Sequence, residues 1–136
     1  MYILDTNVVS ELRKGKKADP RVRAWAGALP LASLYLSVVS VLELEIGILL
    51  VDRRDAKQGS ILRTWMNKHV LPSFSGRVLP IDTAVAQRCT ALHVPDPRSD
   101  RDALIAGTAL VHGMSVATRN VNHFQPTGVV VVNPWQ

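Results

Sequence analysis

A chain of 136 residues that is 47% hydrophobic is long enough to bury a core, and a single domain spanning residues 1–136 is expected at this length. Sixteen Lys and Arg against eleven Asp and Glu leave a formal charge of +5, which favours polyanionic partners. The one cysteine, Cys89, excludes an internal disulfide and a cysteine-rich zinc framework, and it fits a reducing cytoplasm.

In chain order, Tyr2–Leu4 is a short apolar run that ends on Asp5-Thr6-Asn7, the pattern of a buried strand turning into a helix. No basic leader or signal-length apolar stretch precedes Asp5, so a cytoplasmic protein is expected. A short helix is predicted from about Val8, followed by the basic loop Arg13–Lys17 and a second helix with Pro20 as its first residue. Leu34–Val38 reads as a second strand. Ser40 with Glu43 three residues on has the spacing of a capping box, opening a helix that runs to about Leu50. Residues 28–51 are the most apolar stretch, but Pro30, Glu43 and Glu45 argue against a membrane span.

After the charged break 52–55, Ile61, Leu62, Trp65, Met66, His69 and Val70 repeat at helical spacing, predicting an amphipathic helix that stops before Pro72. Val78–Ile81 is a third strand, and Asp82 or Thr83 caps a helix through Leu92. Asp100 is the expected cap of a helix over residues 101–112 that closes on Gly113. Ser115–Thr118 and Gly128–Val132 complete five strands. Strands alternating with helices imply an α/β fold with a mostly parallel central sheet and helices on both faces. Sites in such sheets form beyond the carboxyl ends of the strands, where Asp5 lies.

Three acids draw attention. Asp5, at a strand mouth, suits either a cation or an Asx turn. Glu43 sits in a helix so apolar that its charge needs compensation, which a capping box or a metal would each supply. Glu45 is rotated from it by roughly 200°, so both cannot face one site. Asp102 shares a helix face with Ile105, Ala106 and Ala109 and therefore points inward, although a first-turn acid is also stabilised by the helix dipole. Three inward acids on separate elements would repel one another unless a cation joined them. Oxygen ligands without Cys or paired His suit Mg²⁺, with Mn²⁺ as a substitute.

Four blocks in order carry a resemblance: Leu4-Asp5-Thr6-Asn7, Ser40–Gly47, Asp102–Ala109 and Val116-Ala117-Thr118-Arg119-Asn120. With these, the chain resembles the PIN-domain ribonucleases, and the VapC/FitB-type toxins in particular. The resemblance implies a three-layer PIN fold, metal-dependent endoribonuclease activity on RNA, transfer RNA first among targets, a VapB/FitA-like antitoxin and a homodimer. It assigns Asp5, Glu43 and Asp102 as the principal acids and Thr6 and Thr118 as hydroxyls near the metal. The fourth acidic position falls on Asn120, which brings an amide oxygen without charge. His123 stands where many relatives have another acid.

On this reading the acids hold Mg²⁺, which acidifies a water and stabilises charge on the scissile phosphate. Arg119, next to the site, is the basic residue best placed to hold the RNA backbone. The alternative is a non-catalytic RNA-binding or regulatory PIN-like module, favoured by Asn120 and the basic balance. An aspartyl-phosphate phosphotransferase would need a second Asp at position 7, which is Asn7.

Overall fold

The computed structural model describes all 136 residues. Five parallel strands form one sheet in the order β3-β2-β1-β4-β5: β1 (Tyr2–Leu4), β2 (Leu34–Ser37), β3 (Val78–Leu79), β4 (Ser115–Ala117) and β5 (Val131–Val132). The first strand in the chain is thus the central one, with Ile3 opposite both Tyr35 and Val116.

Alternation along the strands divides the interior in two. Leu4, Leu34, Leu36 and Ala117 face one cluster, which α1 (Thr6–Leu12), α2 (Pro20–Gly27), α3 (Val38–Arg54) and α4 (Ala56–Trp65) close with Val8, Val22, Leu44 and Leu62. Ile3 and Val116 face the other, closed by α7 (Asp100–His112) and α8 (Val121–Phe124) through Ala103, Ile105, Ala106 and Phe124. Helices therefore cover both faces, as expected of a three-layer α/β fold. Each fully buried Leu, Ile or Phe contributes about 1.5–3 kcal/mol. Around these cores Tyr2 meets Trp25 edge to face at 5.2 Å.

The remaining helices are α5 (Leu71–Ser73) and α6 (Thr83–Thr90). Helices α6 and α7 approach closely at Gly107, where an added Cβ would lie 2.2 Å from Cys89 Sγ. No helix is long and apolar enough to cross a membrane.

Several boundaries differ from expectation, each for a local reason. Helix α1 starts at Thr6, two residues before Val8, because Asp5 caps it by accepting the Thr6 N–H at 2.8 Å. Helix α3 is capped by Ser37, whose hydroxyl accepts the Val39 N–H at 3.0 Å, so Ser40 lies inside the helix and no capping box with Glu43 exists. Ser37 wins because β2 ends there, and the extended backbone of its last residue is what an N-cap requires. Asp100 is the first residue of α7, not its cap; Ser99 holds that place without a side-chain hydrogen bond. Gly113 closes α7 in the left-handed conformation at φ 65°, as its position predicted.

The helix predicted to stop before Pro72 instead starts earlier and runs past it. Asp55 caps α4 by accepting the Gln58 N–H, and the chain then widens into a π-helical turn over Met66–Val70 before α5. The Leu71 N–H reaches back five residues to the Met66 carbonyl, so the ordinary four-residue ladder that Pro72 would break is already suspended there.

Candidate active site

The C-terminal ends of β1 and β4 meet at the point where strand order reverses, and Asp5 leaves β1 there. Its N–H donates to the Ala117 carbonyl at 2.9 Å, extending the pairing one residue beyond the strand. The side chain is almost completely enclosed, 5% exposed, with Oδ1 accepting the Thr6 N–H and Oδ2 accepting the Thr118 hydroxyl at 2.7 Å. Burial raises the Asp5 pKa. The hydrogen bonds from Thr118 and Thr6 oppose that rise, and the negative charges of Asp102 and Glu43 add to it.

Glu43 comes to the same place from α3, and its Oε1 accepts the Thr6 hydroxyl at 2.8 Å. Arg101 lies 3.7 Å from its other oxygen. Glu45 points away, as its helical phase requires, and pairs with Arg63 of α4 at 2.6 Å. Asp102, in the first turn of α7, has Oδ2 3.2 Å from His123 Nδ1. Asn120 donates its backbone N–H to Thr118 Oγ1 at 2.9 Å.

Asp5, Glu43, Asp102, Thr6, Arg119 and Asn120 all line one open cleft of about 480 Å³. Thr118 does not. It is fully buried and reaches the cleft only through its bond to Asp5. The Arg119 guanidinium lies 5.2 Å from the centre of the Trp135 ring, which sits in the cleft wall.

Sequence reasoning did not assign Asn7, Ser10 and Glu11 to this cleft, which they line with Arg13 and Lys14. The signal was present: positions 7, 10, 11 and 14 fall at the three- and four-residue spacing of one polar face. Asn7 Oδ1 accepts the Arg119 N–H at 3.4 Å, and Glu11 takes the backbone N–H of Asp19 and the Lys14 ammonium, which together lower its pKa.

The donor set is oxygen only and open to solvent. No three acidic, imidazole or thiol groups are gathered tightly enough to enclose an ion. Such a half-shell fits a small hard cation that keeps several waters and takes further oxygens from a phosphate, because Mg²⁺ is commonly held by only one or two carboxylates. A cation there would also offset the cost of a buried charge, which raises the Asp5 pKa, and the lesser repulsion from Asp102 and Glu43.

A parallel α/β sheet with carboxylates at the mouth of its central strand, flanked by arginine and lysine, defines an acidic-cleft protein suited to phosphate chemistry. Residues 2–127 match the PIN domain family, and the chain belongs to it. Within that family its likeness is to the VapC/FitB toxins. It is 37% identical to the VapC ribonuclease Y4jK of Sinorhizobium fredii, covering 100% of this chain and 99% of that one. It is also 37% identical to the toxin FitB of Neisseria gonorrhoeae, covering 99% of each. The FitAcB crystal structure from the same organism superposes with a TM-score of 0.90 at 36% identity, over 100% of this chain and 99% of that one.

Proposed function

We propose that this protein is the toxin of a type II toxin–antitoxin pair and acts as a divalent-metal-dependent endoribonuclease. The observation that carries this reading is the convergence of Asp5, Glu43 and Asp102, from three separate elements, on one cleft rimmed by Arg13, Lys14 and Arg119. Asp5, Glu43 and Asp102 would hold Mg²⁺, or Mn²⁺ in its place, which would supply Lewis-acid chemistry at the scissile phosphate.

The chain's own residues do the rest. Thr6 fixes Glu43 through its hydroxyl while its N–H fixes Asp5, so one residue sets the relative position of two acids. Thr118 holds the second oxygen of Asp5 from behind. Asn120 stands at the fourth position as a neutral oxygen donor, which favours one firmly held ion over two. Arg119, kept in place by Trp135, faces the phosphate backbone. A transfer RNA is the leading substrate.

The partner is an antitoxin of the VapB/FitA kind. One solved relative, 37% identical with a TM-score of 0.89, is described as FitAB bound to an IR36 DNA fragment. A homodimer in the cytoplasm completes the proposal.

The test is cleavage of total RNA by the purified chain with Mg²⁺, with EDTA, and after Asp5→Asn and Asp102→Asn. Cleavage that EDTA and both substitutions abolish is expected. RNA binding with no metal-dependent cut would instead make the protein a regulatory RNA-binding module, the reading that a neutral Asn120 favours. Growth arrest on expression, relieved by the product of an adjacent small reading frame, is the expected result for the toxin pairing.

A further inference from the structure

Beside the acidic cleft lies a second cavity of about 460 Å³, within the roughly 300–1,000 Å³ usual for small-molecule sites. Arg119 and Asn120 line both spaces, so a polynucleotide whose phosphate sits over Asp5 passes from one into the other. The chemistry of the two differs. The second cavity is lined by Asn120, Asn122, Asn133, Gln136 and His123, with Arg119 its sole permanent cation and with no carboxylate side chain. A further phosphate would call for several cations. Carboxamides instead set a donor beside an acceptor, the pattern that matches the edge of a heterocyclic base.

Its walls are held in place. Asn120 is fixed by its N–H to Thr118 Oγ1, and Thr118 is fixed by its hydroxyl to Asp5, so two hydrogen bonds set the distance from this wall to the reacting centre. Asn133 is oriented by accepting the Trp135 N–H at 2.9 Å. The Arg119 guanidinium, 5.2 Å from the centre of the Trp135 ring, lies at the boundary between the two spaces. Asn122 and Gln136 are exposed at the mouth.

We infer that this cavity is a base-recognition subsite that reads one unpaired nucleobase of single-stranded RNA next to the scissile phosphate through the carboxamides of Asn122 and Gln136. The inference rests on the nuclease reading for its placement beside a cut. An unpaired base presents a neighbouring donor and acceptor on its Watson–Crick edge, which one carboxamide meets together.

The test maps cleavage ends in a randomised single-stranded RNA for the wild-type chain, Asn122→Ala and Gln136→Ala, all with Mg²⁺. The expected result is a preference for one base at one position beside the cut that falls at least about fivefold in each variant, with the rate at non-preferred sites unchanged. Equal loss at every site with the same base profile would overturn the subsite. In parallel, Asp102→Asn chains with and without Asn122→Ala are titrated with four labelled homo-oligonucleotides of equal length, one for each base. A wild-type chain that cuts nothing, while a base preference in binding still depends on Asn122, removes the nuclease reading and keeps the subsite. Cutting whose base profile ignores both carboxamides keeps the nuclease and removes the subsite. Loss of antitoxin affinity in Asn122→Ala with an unaltered RNA profile would make the cavity a protein contact and overturn the inference.

Discussion

Thr118 donates its hydroxyl to Asp5 Oδ2 at 2.7 Å, across 113 positions of sequence, and both groups are buried. The Thr118 hydroxyl oxygen also accepts the Asn120 N–H, so one methyl-for-hydroxyl exchange disturbs an acid and the turn after β4 together. Thr118→Val is expected to destabilise the fold by about 1–3 kcal/mol, the range for stranding buried polar groups, and to weaken cleavage. Thr118→Ser keeps the donor and should retain most of both. Urea denaturation alongside an RNA cleavage assay checks the pair; equal behaviour of Val and Ser would remove the hydroxyl from the account.

Asp5 also sets a pH dependence. Unfolded, its carboxyl titrates near 3.8; folded, burial moves that titration upward. Between the two values the folded chain keeps a proton that the unfolded chain has lost, so this group's contribution to stability falls as pH rises through the window and remains unfavourable at neutral pH. Asp5→Asn, which cannot ionise, is therefore expected to melt higher than the wild type in EDTA at pH 7, with the gap closing as pH falls below the ordinary aspartate value. Added Mg²⁺ should raise the melting temperature of the wild type and not of the variant. A variant that melts lower than the wild type in EDTA at pH 7 contradicts this assignment.

The two glutamates of α3 offer an internal control. Glu43→Gln is expected to lower cleavage by more than the roughly 10–100-fold typical of losing a supporting group, and Thr6→Val to fall within that range. Glu45→Gln removes only a half-exposed pair with Arg63, so stability should drop by less than about 1 kcal/mol and cleavage should hold. Single-turnover rates on one RNA substrate measure all three. A cleavage defect in Glu45→Gln matching that of Glu43→Gln would show that α3 acts through stability alone.

Gly107 and Cys89 meet so closely that a methyl group has no room. Gly107→Ala should cost about 1–3 kcal/mol, and adding Cys89→Ala should recover part of the loss. A double-mutant cycle by thermal melting gives the coupling. Strictly additive effects would place the strain elsewhere.

The sheet was legible in the sequence because each strand is a short apolar run beside a turn residue, and Asp5 sat visibly at the end of one. The orientations of Glu43 and Glu45 followed from helical phase alone. Less could be read where two residues offered the same chemistry. Ser37 and Ser40 are both good caps, and only the end of β2 decides between them. Pro72 reads as a stop because the π turn that absorbs it depends on how Met66 and Val70 pack in the core. Thr118 and the His123–Asp102 contact join positions far apart in sequence, so pairing in the sheet had to be known first. Expectation placed the Thr118 hydroxyl near the metal; it is buried behind Asp5, to which it donates, in a supporting position.

Because the central strand is the first one made, the order β3-β2-β1-β4-β5 has a consequence for synthesis. Asp5 is made 113 positions before its partner Thr118 and 97 before the neighbouring Asp102. Until then β1 lacks the strand on one of its sides, and the acids have no common cleft. The cleft that the proposed cleavage needs therefore forms only once Asp102 and Thr118 have been made.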